Sequence, residues 1–434
     1  MSSILIAVLG IVLLLALLAC GMNIGITMIF VGMLGISELA STKAAISSLA
    51  SIPFTQGTTY TYAVIPLFFL MGQFAYVSGI SSGLLDFANK WLGQFRGGLS
   101  IATIASCAAF SAICGSTAAT AATMSVIALP QKREKGYSDS LSCGSIAAGG
   151  TLRILIPPSS AFILYCIVAS QAIGALFMAG IMPGIILALC YIGAIVITVH
   201  RHPELAPGNQ HFTWKERLIS IKGAIPMVVL FGAVIGGMMT NFFSANEASA
   251  VGAVISLLFV IFNGKFTWKA ISKAFLDSVK TASMVLLILI GAYVFGNFLA
   301  MSGVPKMLAQ WIINNGFNRY LVITLILILY VVLGCLMDSC AMVVMTVPIF
   351  LPIVEALGFN AVWYGVLMIM VMECGLITPP VGMNVYIVSG IAKDVPLSTI
   401  FKGVVPMVVG MFVAIIIVAL FPQISLWIPT LCGF

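Results

Sequence analysis

Apolar residues in this chain gather in long runs separated by short polar stretches. The runs near 4–20, 24–40, 63–79, 174–199, 223–240, 245–263, 281–301 and 405–425 approach or exceed the roughly 20 residues a helix needs to cross a bilayer. Backbone groups in lipid must bond within their own segment, so each run predicts a helix. No Lys or Arg precedes the first run, Ile4 to Cys20, which therefore reads as a retained span and not as a cleaved leader. Gly83 to Arg96 and Lys265 to Lys280 mix apolar and charged residues at helical spacing and predict helices lying in the membrane interface.

Two stretches of 31 residues, 99–129 and 321–351, fit neither one span nor two. As one helix each would run about 46 Å, against a hydrocarbon core of about 30 Å, and two crossings would need about 40 residues. A re-entrant helical hairpin fits. Their midpoints are polar or small: Cys114-Gly115-Ser116-Thr117 in the first, Met337-Asp338-Ser339-Cys340 in the second. Backbone exposed at that depth must face protein, water or an ion.

The two stretches also repeat. At an offset of 222, Ser116 falls on Asp338, Thr117 on Ser339, Pro130 on Pro352 and Pro157-Pro158 on Pro379-Pro380; Gly72 with Gly296 and Ser78-Gly79 with Ser302-Gly303 align at 224. Five predicted crossings separate the hairpins, an odd number, so the copies are expected to be inverted, as in many transporters.

Composition agrees with a membrane location. Of 434 residues 61% are hydrophobic and 7% charged, and the mean hydropathy is +1.18, which excludes an ordinary soluble domain. The net charge of +7 reads as an orientation signal and not as a nucleic-acid footprint. Eleven of the 19 basic residues fall in three polar stretches: Lys132, Arg133 and Lys135; Arg201, Lys215, Arg217 and Lys222; Lys265, Lys269, Lys273 and Lys280. All three are expected to be cytoplasmic loops, with both termini outside. The ten cysteines are scattered singly, without metal or disulfide spacing. His200, His202 and His211 share one polar loop with no accompanying ligand cluster, which reads as solvated. There is no GxxxxGK[ST] or HExxH sequence and the histidines are confined to one loop, which argues against ATP drive and against an intramembrane hydrolase; a passive channel is a third alternative.

Each hairpin is followed by a segment expected to break at mid-membrane: Gly149-Gly150-Thr151 with Ile156-Pro157-Pro158-Ser159, and Glu373-Cys374-Gly375 with Thr378-Pro379-Pro380-Val381-Gly382-Met383-Asn384. Tandem proline frees carbonyls. A tip facing such a break gathers oxygens suited to Na⁺, with helix N-termini suited to a carboxylate. Asp338 reads as lining a sodium site, with a helix cap as its alternative. Asn246 reads as the cap of a helix starting near Ala248, with Glu247 at its positive end.

Several motifs closely resemble the large membrane subunit of tripartite ATP-independent periplasmic (TRAP) transporters. They are Gly115 to Thr123, Ala147 to Leu152 with Ile154 to Ser159, Asn246 to Ala253, Met337-Asp338, and Gly375 to Asn384. The resemblance runs from about residue 3 to 425. It implies an elevator-type all-α fold with inverted repeats, in which a transport domain carrying two re-entrant hairpins and two broken helices moves against a scaffold. It also implies Na⁺-driven uptake of an organic acid (dicarboxylate, sialic acid or other sugar acid) across the bacterial inner membrane, with a small four-helix membrane subunit and a periplasmic binding protein as partners. A stand-alone Na⁺/dicarboxylate symporter of the same superfamily is the alternative. No cofactor beyond the coupling Na⁺, no transition metal and no enzymatic activity is expected.

On this reading scaffold helices occupy 1–80, the first repeat 81–200 (hairpin 99–129, broken helix 141–170), central scaffold and cytoplasmic arm 201–280, the second repeat 281–404 (hairpin 321–351, broken helix 361–392) and a last helix 405–434. The expected sodium ligands are Gly115, Ser116, Thr117, Thr151, Pro157, Asp338, Ser339, Thr378 and Pro379. The expected substrate contacts are Ser116, Thr117, Arg153, Pro158, Ser159, Pro380, Gly382 and Asn384. Two positions depart from the family pattern: Cys114 stands where Ser is usual and Arg153 where Gly is usual. A central charge costs about 2.5–3.5 kcal/mol on insertion scales, so Arg153 must bind the substrate carboxylate, pair with Glu373 or snorkel to an interface; the two structural readings together rank ahead of the substrate role.

Overall fold

The structure is a computed structural model that describes residues 2–111, 117–207, 211–335 and 337–434; among them all regular structure is helical. Helices α1 (Ser3–Ala19), α2 (Ile24–Leu39) and α3 (Thr42–Gly57) are started by side-chain caps from Ser2, Asn23 and Ser41. Then come α4 (Val64–Ser78), α5 (Ile80–Leu92), α6 (Gly98–Ser111), α7 (Thr117–Glu134), α8 (Asp139–Thr151), α9 (Ser160–Val168) and α10 (Ile173–Arg201). The middle of the chain forms α11 (Trp214–Phe231), α12 (Gly237–Met239), α13 (Ala245–Phe262) and α14 (Trp268–Ser302). The last third forms α15 (Val304–Asn314), α16 (Arg319–Gly334), α17 (Ser339–Ala356), α18 (Ala361–Gly375), α19 (Met383–Ile391), α20 (Leu397–Leu420) and α21 (Gln423–Leu431). Seven helical stretches among the described residues are long and apolar enough to cross a membrane: Tyr60–Ser78, Ile173–Arg201, Trp214–Met239, Ala245–Phe262, Trp268–Ser302, Ser339–Ala356 and Leu397–Leu420. Their outward faces are apolar, as at Val228, Leu258, Val409 and Ile416, the surface lipid requires.

The duplicated spacing reappears in the elements. Moved back by 222, α17 spans 117–134, the bounds of α7. Gly136 and Gly358, also 222 apart, end these two helices with left-handed φ of +74° and +79°, a conformation only glycine adopts without cost. Ser138 and Asn360 then cap α8 and α18. The bonds Pro157-Pro158 and Pro379-Pro380 are both cis. Gly79 and Gly303, 224 apart, join α4 to α5 and α14 to α15 with φ of +79° and +71°.

The copies interlace. α7 packs on α19 while its counterpart α17 packs on α9, and α8 packs on α20 while α18 packs on α10. The second half of each broken helix, α9 or α19, therefore lies against α17 or α7 of the other copy. Close backbone approaches set this arrangement: a Cβ on Gly144 would collide with the Gly403 carbonyl, and one on Gly375 with the Gly334 carbonyl carbon.

Several sequence expectations are corrected. Lys265 to Lys280 is not a separate interfacial helix; Trp268–Ser302 is one helix of 35 residues, about 52 Å long, because the lysines sit at good helical positions and nothing breaks the run. The expected boundaries 280/281 and 404/405 fall inside α14 and α20. The first break begins after Thr151 and the second after Gly375, since Gly149 and Gly150 stay helical. Lys132 is not in a solvated loop: it is 0% exposed within α7. Asn246 is not a cap. α13 starts at Ala245, where Ser244 and Glu247 form a reciprocal capping box, and Asn246 instead donates to the Tyr60 carbonyl at 2.8 Å. α3 and α15 had no counterpart among the predicted spans.

Candidate ion and substrate site

The two breaks are built by proline and closed by small residues. In the first, α8 tightens into a 3-10 turn over Leu152–Ile154 before Pro157-Pro158, and Ser159 restarts the helix by accepting the Phe162 amide. In the second, α18 ends at Gly375, Thr378 hydrogen-bonds back to the Cys374 carbonyl at 2.6 Å, and Gly382, with φ of +62°, turns the chain into α19.

Asn384, at the start of α19, brings the copies together. It is 0% exposed and its Nδ2 donates to the Ala147 carbonyl of α8 at 3.3 Å. A Cβ on Gly150 would stand 3.1 Å from that Nδ2 and 3.4 Å from the Thr117 carbonyl. Thr117, Gly150 and Asn384 thus form one neighbourhood, contributed by α7, α8 and α19. The Asn384 Oδ1 is buried without a hydrogen-bond partner among the described residues.

The second neighbourhood centres on Glu373, which is 0% exposed in the last turn of α18. Its Oε1 accepts from the Ser339 hydroxyl at 3.0 Å, and its Oε2 is buried without a hydrogen-bond partner among the described residues. Asp338, exposed at the second tip, caps α17 by accepting the Cys340 amide at 2.9 Å, and both it and Arg153 act electrostatically on Glu373. The cap is therefore realised at Asp338. Arg153 does not snorkel: it is 3% exposed, and its guanidinium donates to the Ser160 hydroxyl at 3.1 Å.

The expected ligands divide accordingly. Thr117 and Asn384 meet at one neighbourhood, and Asp338 and Ser339 at the other. The Thr151 hydroxyl donates to the Ala148 carbonyl at 2.7 Å and shares a hydrogen bond with the Tyr191 phenol at 2.8 Å, which fixes its orientation. The Pro379 carbonyl accepts from the Cys335 thiol. Pro157 and Ser159 are buried, Pro158 is half-buried and Pro380 is exposed. Cys114, Gly115 and Ser116 lie outside the described residues. The sequence offers Glu373 as part of the second break and as a partner for Arg153, and not as an ion ligand; its signal is a carboxylate inside an apolar run, two residues before Gly375. Tyr191 carried no signal, because its role depends on how α10 packs.

Residues 11–424 match the family described as tripartite ATP-independent periplasmic transporter, DctM component. The chain is 32% identical over 390 residues to the C4-dicarboxylate TRAP transporter large permease protein DctM of Pseudomonas aeruginosa, covering 90% of this chain and 91% of that protein. It is 30% identical over 422 residues to the sialic acid TRAP transporter large permease protein SiaM of Vibrio cholerae, covering 96% and 97%. Among solved structures, the YdaH transporter of Alcanivorax borkumensis shares the fold, with a TM-score of 0.62 at 14% identity over 88% of this chain and 89% of that one.

Proposed function

This chain belongs to the DctM-component family of tripartite ATP-independent periplasmic transporters, a multi-pass protein of the bacterial inner membrane, and from that premise we propose that it is the permease of a Na⁺-coupled organic acid importer. The observation that carries this reading is a pair of buried oxygens, Glu373 Oε2 and Asn384 Oδ1, that have no hydrogen-bond partner among the described residues, each beside a break and a hairpin arm. Buried polar atoms are normally satisfied, and an oxygen left open in a preformed site suits a hard cation.

Sodium would be held at the first site by carbonyls of Gly115, Thr117, Thr151 and Pro157 with the Ser116 hydroxyl. At the second it would be held by Asp338, Ser339 and the carbonyls of Thr378 and Pro379, with Glu373 supplying charge. The substrate carboxylate would dock between the sites, at Ser116, Thr117, Pro158, Ser159, Pro380, Gly382 and Asn384, with Arg153 as the nearby cation. C4-dicarboxylates and sialic acid, named for the relatives, are the leading substrate classes, and other sugar acids meet the same requirement. The two hairpins are re-entrant and inverted, and the domain they form moves as an elevator against a scaffold. Each Na⁺ entering down the potential contributes about 2.3 kcal/mol per 100 mV, so a few ions suffice for accumulation. A small four-helix membrane subunit and a periplasmic binding protein complete the system.

The test is uptake of labelled succinate and sialic acid into proteoliposomes carrying this chain, the small subunit and the binding protein. Uptake should require an inward Na⁺ gradient and the binding protein. Uptake undiminished without the gradient would overturn the coupling, and uptake by this chain alone would favour the stand-alone symporter.

A further inference from the structure

Lys132 is a buried, charge-forming side chain that the transport scheme does not use. It lies past Leu129, the end of the apolar stretch of α7, and is 0% exposed. No carboxylate among the described residues lies within ion-pair distance of it. Its Nζ donates to the Ser145 hydroxyl at 2.7 Å and reaches the Ser142 carbonyl at 3.5 Å, both on α8. The Ser145 hydroxyl in turn donates to the Leu141 carbonyl at 2.6 Å. An ammonium carries three donors and a neutral amine two, so the two acceptors match the neutral form.

The groups around it do not supply a counter-charge. The titratable side chains acting on Lys132 are the thiols of Cys107 on α6 and Cys143 on α8. Tyr137 uses its phenol to accept the Leu99 amide. Asp139 and Asp394 are both held by Arg133, at 2.8 and 2.7 Å. Glu134 and Lys135 are exposed, and α19, the other helix packed on α7, offers Tyr386, also exposed. Burial accordingly lowers the amine from 10.5 to about 7.

We propose that Lys132 is a proton-binding site at the base of the first hairpin, neutral while α7 and α8 are packed and protonated from the polar end of α7 when that packing loosens. The packed state then binds fewer protons than the loosened one. Its stability rises with pH between the packed and solvated values of the amine and falls as the medium is acidified.

Thermal unfolding of the purified full-length chain, followed from about pH 6 to about pH 9, tests this without knowledge of the transported acid. The wild-type Tm should climb across the range. Lys132→Met should flatten the climb and melt higher than wild type at the acidic end, while Lys132→Arg, charged throughout, should be flat and low. The same climb in Lys132→Met as in wild type would overturn the proposal. So would failure of Lys132→Met to fold, because an apolar chain of similar length should suit the packed state at least as well as a neutral amine.

Discussion

Thr151 and Glu373 stand 222 apart, at the same place in the two copies, yet their environments differ. Tyr191 hydrogen-bonds the Thr151 hydroxyl, whereas Ser339 satisfies one oxygen of Glu373 and the other has no hydrogen-bond partner among the described residues. Glu373→Gln keeps the shape and removes the charge; the Na⁺ concentration for half-maximal uptake should rise roughly 10-fold or more, as for loss of a charged contact of about 1.5–3 kcal/mol. An unchanged Na⁺ dependence would remove Glu373 from the site. Tyr191→Phe is the contrasting case: it should cost stability by about 0.5–1.5 kcal/mol, read as a lower Tm, and leave Na⁺ dependence alone. The sequence made Asp338 legible as a polar residue at a tip. Its geometry as a cap was not, because a carboxylate at a helix start suits an ion and an amide equally well.

At the scale of elements, what breaks a helix was legible and what continues one was not. Pro157-Pro158 and Pro379-Pro380 announce both breaks, and the left-handed glycines mark the helix ends. The lysines of α14 gave no such signal. Lys269, Lys273 and Lys280 looked like an interfacial segment, but charge alone does not end a helix of good formers, and the span continues through them. Close packing was also invisible in advance, since it needs both partners in place. Gly375 touches the Gly334 backbone, so Gly375→Val should force the second break away from α16. Overpacking of this kind costs about 1–3 kcal/mol, and both Tm and Na⁺-driven uptake should fall. Wild-type values for both would show that the contact does not position the site.

At the scale of the whole molecule, the duplication was legible because matched prolines, glycines and tip residues kept a constant spacing. The interlacing was not, because nothing in the spacing says that α7 meets α19 or that α17 meets α9. The account rests on the copies entering the bilayer from opposite faces. Glu134 and Ala356 are repeat partners, 222 apart and both exposed at the ends of α7 and α17. The most direct measurement places a single cysteine at Glu134→Cys or Ala356→Cys in a chain whose ten native cysteines are replaced, and labels each with a membrane-impermeant maleimide in right-side-out and inverted vesicles. The account predicts that position 356 labels in right-side-out vesicles and position 134 in inverted ones; labelling of both from the same side would contradict it.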